Sequence, residues 1–219
     1  MKPRAAIVNF GMGNLFSVKQ ACEKVGLDAS ITYRGSEIMA ADAVILPGVG
    51  AFGDAMEALR RLRLIDVLSE VVKSSKPFLG VCLGMQLLMS DSEEFGMHKG
   101  LNIINGHVKR FPNLNDKNEN IKVPHIGWNK VFFKDGPDTN GSILKNVSSG
   151  EFMYFVHSYF VKPDTEDIVI THTDYRGIRY CSGIRKGSLM AFQFHPEKSG
   201  SYGIQIYKNF KDLILKERS

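Results

Sequence analysis

Three side chains in this sequence have the types and spacing of a nucleophile, a base and an orienting carboxylate. Cys82 stands in Gly80-Val81-Cys82-Leu83-Gly84, after an apolar run and before the helix-forming MQLLM. A sharp strand-to-helix turn that lifts one side chain out of a sheet is crowded. It needs small residues two before and two after the exposed one, the spacing of G-x-S-x-G elbows with sulfur in place of oxygen. Such a cysteine sits at a helix N-terminus, where exposed N–H groups and the helix dipole favour the reactive thiolate. Without the glycines, a cysteine in an apolar run reads as a small buried hydrophobe. Cys22, on a helix face, and Cys181, in a strand run, are read that way.

The segment AFQFHPEKSG supplies the base. A histidine of near-neutral pKa takes a thiol proton and later hands one to a leaving amine. His195 fills that role, and Glu197 follows across Pro196, whose rigid ring sets the geometry. A carboxylate on the second ring nitrogen fixes the tautomer and steadies the imidazolium. Acyl transfer also requires an oxyanion hole, in which one lost donor typically costs ~3 kcal/mol of barrier. The N–H of Leu83, directly after the nucleophile, is one candidate. The other lies in Pro47-Gly48-Val49-Gly50, where the N–H of Val49 or Gly50 points inward if the motif is more than a tight turn.

The elements that must position these groups fall into two textures. In the first half strand and helix alternate. RAAIVNF, DASITY, DAVILP and KPFLGVC read as buried strands, and FGDAMEALRRLRLIDVLSEVVKS as helix between the last two. Asn14 caps a helix carrying Leu15, Val18, Cys22 and Val25 on its apolar face, and Gly26 closes it. This alternation predicts an α/β fold, a mostly parallel, doubly wound sheet with helices on both faces. Ligands in such sheets bind at the carboxyl ends of the strands, where GMGN (11–14), PGVG (47–50) and the Cys82 elbow all lie. After residue 100, LNIING, HVKRF, NKVFF, FMYFVHSYF, DIVITHT, IRYCSGI and LMAFQF read as short strands of a largely antiparallel half. NLNDKNEN is an exposed loop, and SYGIQIYKNFKDLILKE a closing amphipathic helix with Ile204, Tyr207, Phe210 and Ile214 on one face. With no repeat and no linker, residues 1–219 read as a single domain.

Composition narrows the classes. The chain has 219 residues, 43% of them hydrophobic and 23% charged, with a net charge of +5 and no block of like charges. That argues against a nucleic-acid tail. The apolar runs are too short for a membrane span. Three cysteines, an odd number, fit free thiols in a reducing cytoplasm. His98, His107, His125 and His172 lack metal-ligand spacing, and GMGN is too short for a dinucleotide fingerprint. No metal and no cofactor is expected.

Taken together, G-V-C-L-G-x-Q, P-G-V-G-x-F and Q-F-H-P-E-K-S resemble the class I, triad-type glutamine amidotransferases, and the resemblance spans essentially the whole chain. VPHIGWN (123–129) and YFVHSYF (154–160) are similar to the branch formed by glutaminase subunits of imidazole glycerol phosphate synthase. The resemblance implies a flavodoxin-like fold and attack by Cys82 on the glutamine side-chain amide. It implies glutamine binding by Gln86 and the Gly50 backbone, with the substrate's charged ends met by the backbone around His157 and Ser158. It also implies a heterodimer with a (β/α)8-barrel cyclase that receives the ammonia, with Asn14, Trp128 and Lys198 facing that partner. For the acceptor it offers the histidine pathway. The alternative is a paralogue serving acetamidino-sugar formation in surface glycans, to which Phe16 and Cys181-Ser182 point. Two further alternatives are a free cysteine hydrolase and a catalytically silent binding protein. The first leaves VPHIGWN without a role, and the second is opposed by the intact Cys82, His195 and Glu197.

Overall fold

A computed structural model describes residues 2–115, 117–134 and 143–217. Four parallel strands, β1 (Arg4–Val8), β2 (Asp28–Thr32), β3 (Ala43–Gly48) and β4 (Phe78–Cys82), form one side of the sheet. Helices α1 (Leu15–Lys24), α2 (Gly35–Ala40), α3 (Phe52–Arg61), α4 (Leu64–Lys73) and α5 (Leu83–Leu87) connect or follow them. Beyond lie β5 (Asp91–Ser92), β6 (His98–Lys99), β7 (Gly106–Arg110), β8 (His125–Phe133), β9 (Glu151–His157) and β10 (Tyr159–Pro163). The chain then adds β11 (Val169–Tyr175), β12 (Ile178–Lys186), β13 (Leu189–Phe192) and the last helix, α6 (Gly200–Glu217).

The sheet order is β2-β1-β3-β4-β13-β12-β10-β7-β5-β6, with β11 paired to β12 and β8, and β8 to β9. Every residue of β3 and β4 is buried, as expected of parallel strands covered on both faces. One face packs on α3, α4 and α5 through Phe52, Leu59, Leu68 and Met85. The other packs on α1 and α6 through Val18, Cys22, Tyr207, Phe210 and Ile214. β13 returns late in the chain to run parallel to β4, so the end of β13 lies beside the end of β4. That single crossing brings the Cys82 and His195 segments together.

The predicted caps form. Asn14 accepts a hydrogen bond from the Ser17 N–H. Gly26 has φ +86° and Leu27 N–H returns to the Cys22 carbonyl, a left-handed helix stop. Four local expectations are corrected. LNIIN forms no strand: Asn102 has φ +52°, and Leu101, Ile103 and Ile104 donate to the carbonyls of Leu87 and Leu88, so its apolar side chains mark a buried loop. The helix after PGVG is two helices, broken where Arg63 turns to φ +56°. FMYFVHSYF is two strands that part at Ser158, whose carbonyl accepts from Phe111. GSEIMA, assigned to no element, is α2. NLNDKNEN is mostly exposed, yet Asn115 is buried and donates to Glu119 and the Arg176 carbonyl. Among the described residues no helix is long and apolar enough to cross a membrane.

Candidate active site

The elbow at Cys82 is set by backbone collisions. A Cβ on Gly84 would stand 1.7 Å from the Leu46 carbonyl oxygen, and one on Gly80 would stand 2.8 Å from Ala191 Cβ. Neither position accepts a side chain, because the short helix α5 turns directly over β3 and β4. Cys82 itself has φ +54° and ψ −112°. This strained conformation is of the kind that persists where surrounding structure over-determines it, and it costs on the order of 1–3 kcal/mol. The strain holds the sulfur off the end of β4 at the N-terminus of α5.

His195 arrives from the neighbouring strand. Its N–H donates to the Tyr154 carbonyl, and Ser199 ties the following turn down by donating its hydroxyl to the His195 carbonyl while accepting from Tyr154 N–H. Nδ1 of His195 lies 2.8 Å from Glu197 Oε1, with both side chains almost wholly buried. Nδ1 therefore carries the proton shared with the carboxylate. The opposite nitrogen, Nε2, has no partner within normal hydrogen-bond distance among the described residues, but interacts electrostatically with the Cys82 sulfur. Burial alone would lower the imidazole pKa. The Cys82 sulfur and the Glu197 carboxylate outweigh it and raise the value.

A cavity of about 300 Å³ opens on Cys82. Val49, Gly50 and Leu83, the oxyanion candidates, line it together with Gln86, His157 and Ser158. Gly50 has φ +105°, and Met12 packs against the place of its absent Cβ. Gln86 is buried, with its amide nitrogen donating to the Tyr159 carbonyl and to Gln193 Oε1. Both protons are engaged, which leaves its carbonyl oxygen as the group available to a ligand.

His157 lines the cavity, and the contact expected of it is a backbone one. Its ring is tied into the protein: Nδ1 donates to the Tyr159 carbonyl, so Nε2 must accept, and it takes the Tyr180 hydroxyl at 3.1 Å. The Tyr180 oxygen in turn accepts from His125 Nδ1 at 3.2 Å. Burial pushes the His157 imidazole down to about 3 and the His125 imidazole to about 4. Both rings are neutral at physiological pH. Stacked between Phe155 and Tyr175, His125 is a packing group.

Four members of this site have no role assigned from the sequence alone. Glu94 is, among the described residues, the only carboxylate on the cavity wall. It accepts from Phe52 N–H, and burial raises its carboxyl pKa. Gln193, Tyr180 and Pro124 are the others. Glu94 lies in a run of acids with no periodic pattern, whereas Gln193, two residues before His195, was legible by strand alternation.

The residues assigned to a partner face are disposed coherently. Trp128 packs edge-on against Tyr154, and the Lys198 ammonium sits 5.6 Å above the same Tyr154 ring. Ile126, Trp128 and Phe152 are about half exposed or more on the outer face of β8 and β9. Asn14 caps α1, which packs against the Pro196–Lys198 turn. No cluster of His, Cys, Asp or Glu suited to a metal occurs among the described residues.

Cys82, His195 and Glu197 are disposed as a candidate cysteine acyl-transfer site, and the family model for class-I glutamine amidotransferases matches residues 6–213. The chain belongs to that family. Its relatives include the imidazole glycerol phosphate synthase subunit HisH of Geobacter metallireducens, 46% identical and covering 94% of this chain and 96% of that protein. The HisH subunits of Aquifex aeolicus and Methanosarcina acetivorans are 44% and 45% identical, covering 95% and 96% of this chain and 96% and 98% of their own. The fold of this amidotransferase is shared with more distant solved structures. One is PurLQS of Thermotoga maritima, with a TM-score of 0.70 at 19% identity and 100% of both chains covered. Another is a glutamine amidotransferase of Thermotoga maritima, with a TM-score of 0.62 at 16% identity, covering 100% of this chain and 86% of that one.

Proposed function

We propose that this amidotransferase is the glutaminase component of an imidazole glycerol phosphate synthase, a single domain over residues 1–219 that makes ammonia for histidine biosynthesis in the cytoplasm. The Cys82 thiolate attacks the side-chain amide carbon of glutamine. The amide oxygen takes the negative charge, met by the N–H groups of Leu83 and of Val49 or Gly50. His195 gives its Nε2 proton to the nitrogen, and the C–N bond breaks to release ammonia and leave a thioester. His195 then takes a proton from water, whose oxygen attacks the thioester. Glutamate leaves and the thiolate is restored. Gln86 Oε1 and the Gly50 backbone hold the substrate, and Glu94 meets its α-ammonium.

The observation that carries this reading is the steric elbow at Cys82 standing next to the buried His195–Glu197 pair, in a chain 43–46% identical to relatives named HisH. The surface-glycan alternative rested on Phe16 and Cys181-Ser182. Phe16 is an exposed residue of the first turn of α1, Ser182 bonds Thr171, and none of the three lines the cavity. Nothing in the site favours it.

Ammonia released to water would be protonated and lost as a nucleophile, so a partner must receive it. The apolar ridge of Ile126, Trp128 and Phe152, with Tyr154 and Lys198 beside His195, is the face proposed to dock a (β/α)8-barrel cyclase as a heterodimer. Glutamate release should be assayed with and without that barrel and its ribonucleotide substrate. Turnover stimulated by both supports the reading. Turnover indifferent to both overturns the partnership, and none with Cys82 intact overturns the glutaminase.

A further inference from the structure

The buried amide of Gln193 lies between the nucleophile and the substrate-binding glutamine. Gln193 is fully buried and follows β13 directly, where parallel pairing has already set Phe192 beside Val81 and so brings residue 193 level with Cys82. Its Nε2 is 3.7 Å from Cys82 Sγ, within reach for a hydrogen bond to sulfur, and its Oε1 is 3.0 Å from Gln86 Nε2.

The direction of these bonds is fixed by a group that has no choice. The Tyr159 main-chain carbonyl can only accept. Gln86 therefore turns its NH2 toward it, at 2.9 Å, and the second proton of that NH2 points at Gln193. Gln193 must answer with its carbonyl oxygen. A flipped amide would set two NH2 groups face to face and present an oxygen lone pair to the sulfur. The NH2 of Gln193 is thus committed to Cys82. A donor aimed at sulfur stabilises the thiolate over the thiol, because bonds to the charged form favour it.

We propose that Gln193 is a thiolate-stabilising residue, and that it joins substrate recognition at Gln86 to nucleophile charge at Cys82 through one continuous hydrogen-bond line. His195 is the acid–base partner of the sulfur, while Gln193 supplies a neutral donor. A fully buried amide that merely filled space would be costly, and an apolar side chain would fill the same space without that cost. This role rests on the glutaminase reading only for what Gln86 binds. The contact to sulfur does not.

The test is alkylation of the full chain by iodoacetamide across pH, read by mass at the Cys82 peptide, with buried Cys22 and Cys181 as internal controls. It needs no glutamine, so failure of the glutaminase reading leaves its outcome intact. Gln193→Met keeps length and loses the donor. It is expected to move the pH of half-maximal alkylation upward by about one unit, with a folded melting profile. Gln193→Glu, which turns a carboxylate toward the sulfur, is expected to move it further. An unchanged midpoint in a folded Gln193→Met chain overturns the proposal. If the variants fail to fold, the side-chain amide resonances of Gln193 in 15N-labelled wild-type chain decide. Titration in step with Cys82 alkylation supports the bond, and resonances indifferent to pH and to alkylation overturn it.

Discussion

The two halves of the active site are held by different forces. At the elbow, position is enforced by repulsion: Gly84 rides against the Leu46 carbonyl and Gly80 against Ala191, so Cys82 has one place to be. On the opposite wall, at 154–159, position is enforced by attraction. Tyr154, His157 and Tyr159 are tied by hydrogen bonds to His195, Tyr180 and Gln86. Steric confinement is abrupt and local, whereas a polar network is directional and responds to charge. The rigid half presents the nucleophile, and the tunable half sets the protonation and orientation of what surrounds it.

That contrast predicts the most damaging substitution. Gly84→Ala would press a methyl into the Leu46 carbonyl, and urea unfolding should show a loss of about 3 kcal/mol or more, beyond ordinary overpacking. A mild effect would mean that the elbow is not sterically fixed. In the polar half, Glu197→Gln keeps the shape and removes the charge. Turnover of glutamine should fall about 10²–10⁴-fold, as when the orienting carboxylate of a triad is lost. The same variant sharpens the electrostatic account. His195, pushed above its ordinary value, keeps its proton well into alkaline pH. The acid that ammonia needs is thus present below that range and lost as pH rises through about 10. The alkaline fall of kcat/KM should therefore lie high in wild type and move to lower pH in Glu197→Gln.

The buried histidines have the opposite sign. An unfolded chain protonates them near 6.5, but the fold keeps His125 and His157 neutral down to about 4 and about 3. The stability this entails is complete above pH 6.5 and is lost as pH falls below it. Each ring should remove about 2 kcal/mol by pH 5, visible as a falling melting temperature. His125→Phe, which retains the stacking on Phe155 and Tyr175, should roughly halve that slope. At the surface, Trp128→Ala should weaken the barrel complex by about 2 kcal/mol in a titration and leave basal turnover of the isolated chain unchanged. The smallest expected effect is Asn14→Ala, about 1 kcal/mol of stability from the lost cap.

The repulsive half was legible in the sequence, and of the attractive half only the His195–Glu197 pair was. Two glycines at fixed spacing around Cys82 announce a crowded turn because only glycine satisfies it. The Asn14 cap and Gly26 stop are legible for the same local reason. His195 and Glu197 were legible because Pro196 holds them two residues apart. By contrast, the line from His125 through Tyr180 to His157 joins residues 55 and 23 positions apart, and no periodicity connects them. Alternation along VPHIGWN would turn apolar Ile126 and Trp128 inward, yet the structure buries His125 and exposes both. LNIIN misled for a related reason: apolar content reports burial, and a loop closed onto the carbonyls of Leu87 and Leu88 is as buried as a strand.

One residue, Tyr154, joins the polar half of the site to the exposed ridge. Its carbonyl holds the backbone of His195, its N–H reaches Ser199, and its ring carries Trp128 on one edge and the Lys198 ammonium above. The face proposed for docking and the placement of His195 therefore draw on the same residue. A lineage that drifts toward a different partner can vary the outer residues of this ridge freely, but not Tyr154, where a change in the docking face is also a change in the support of His195.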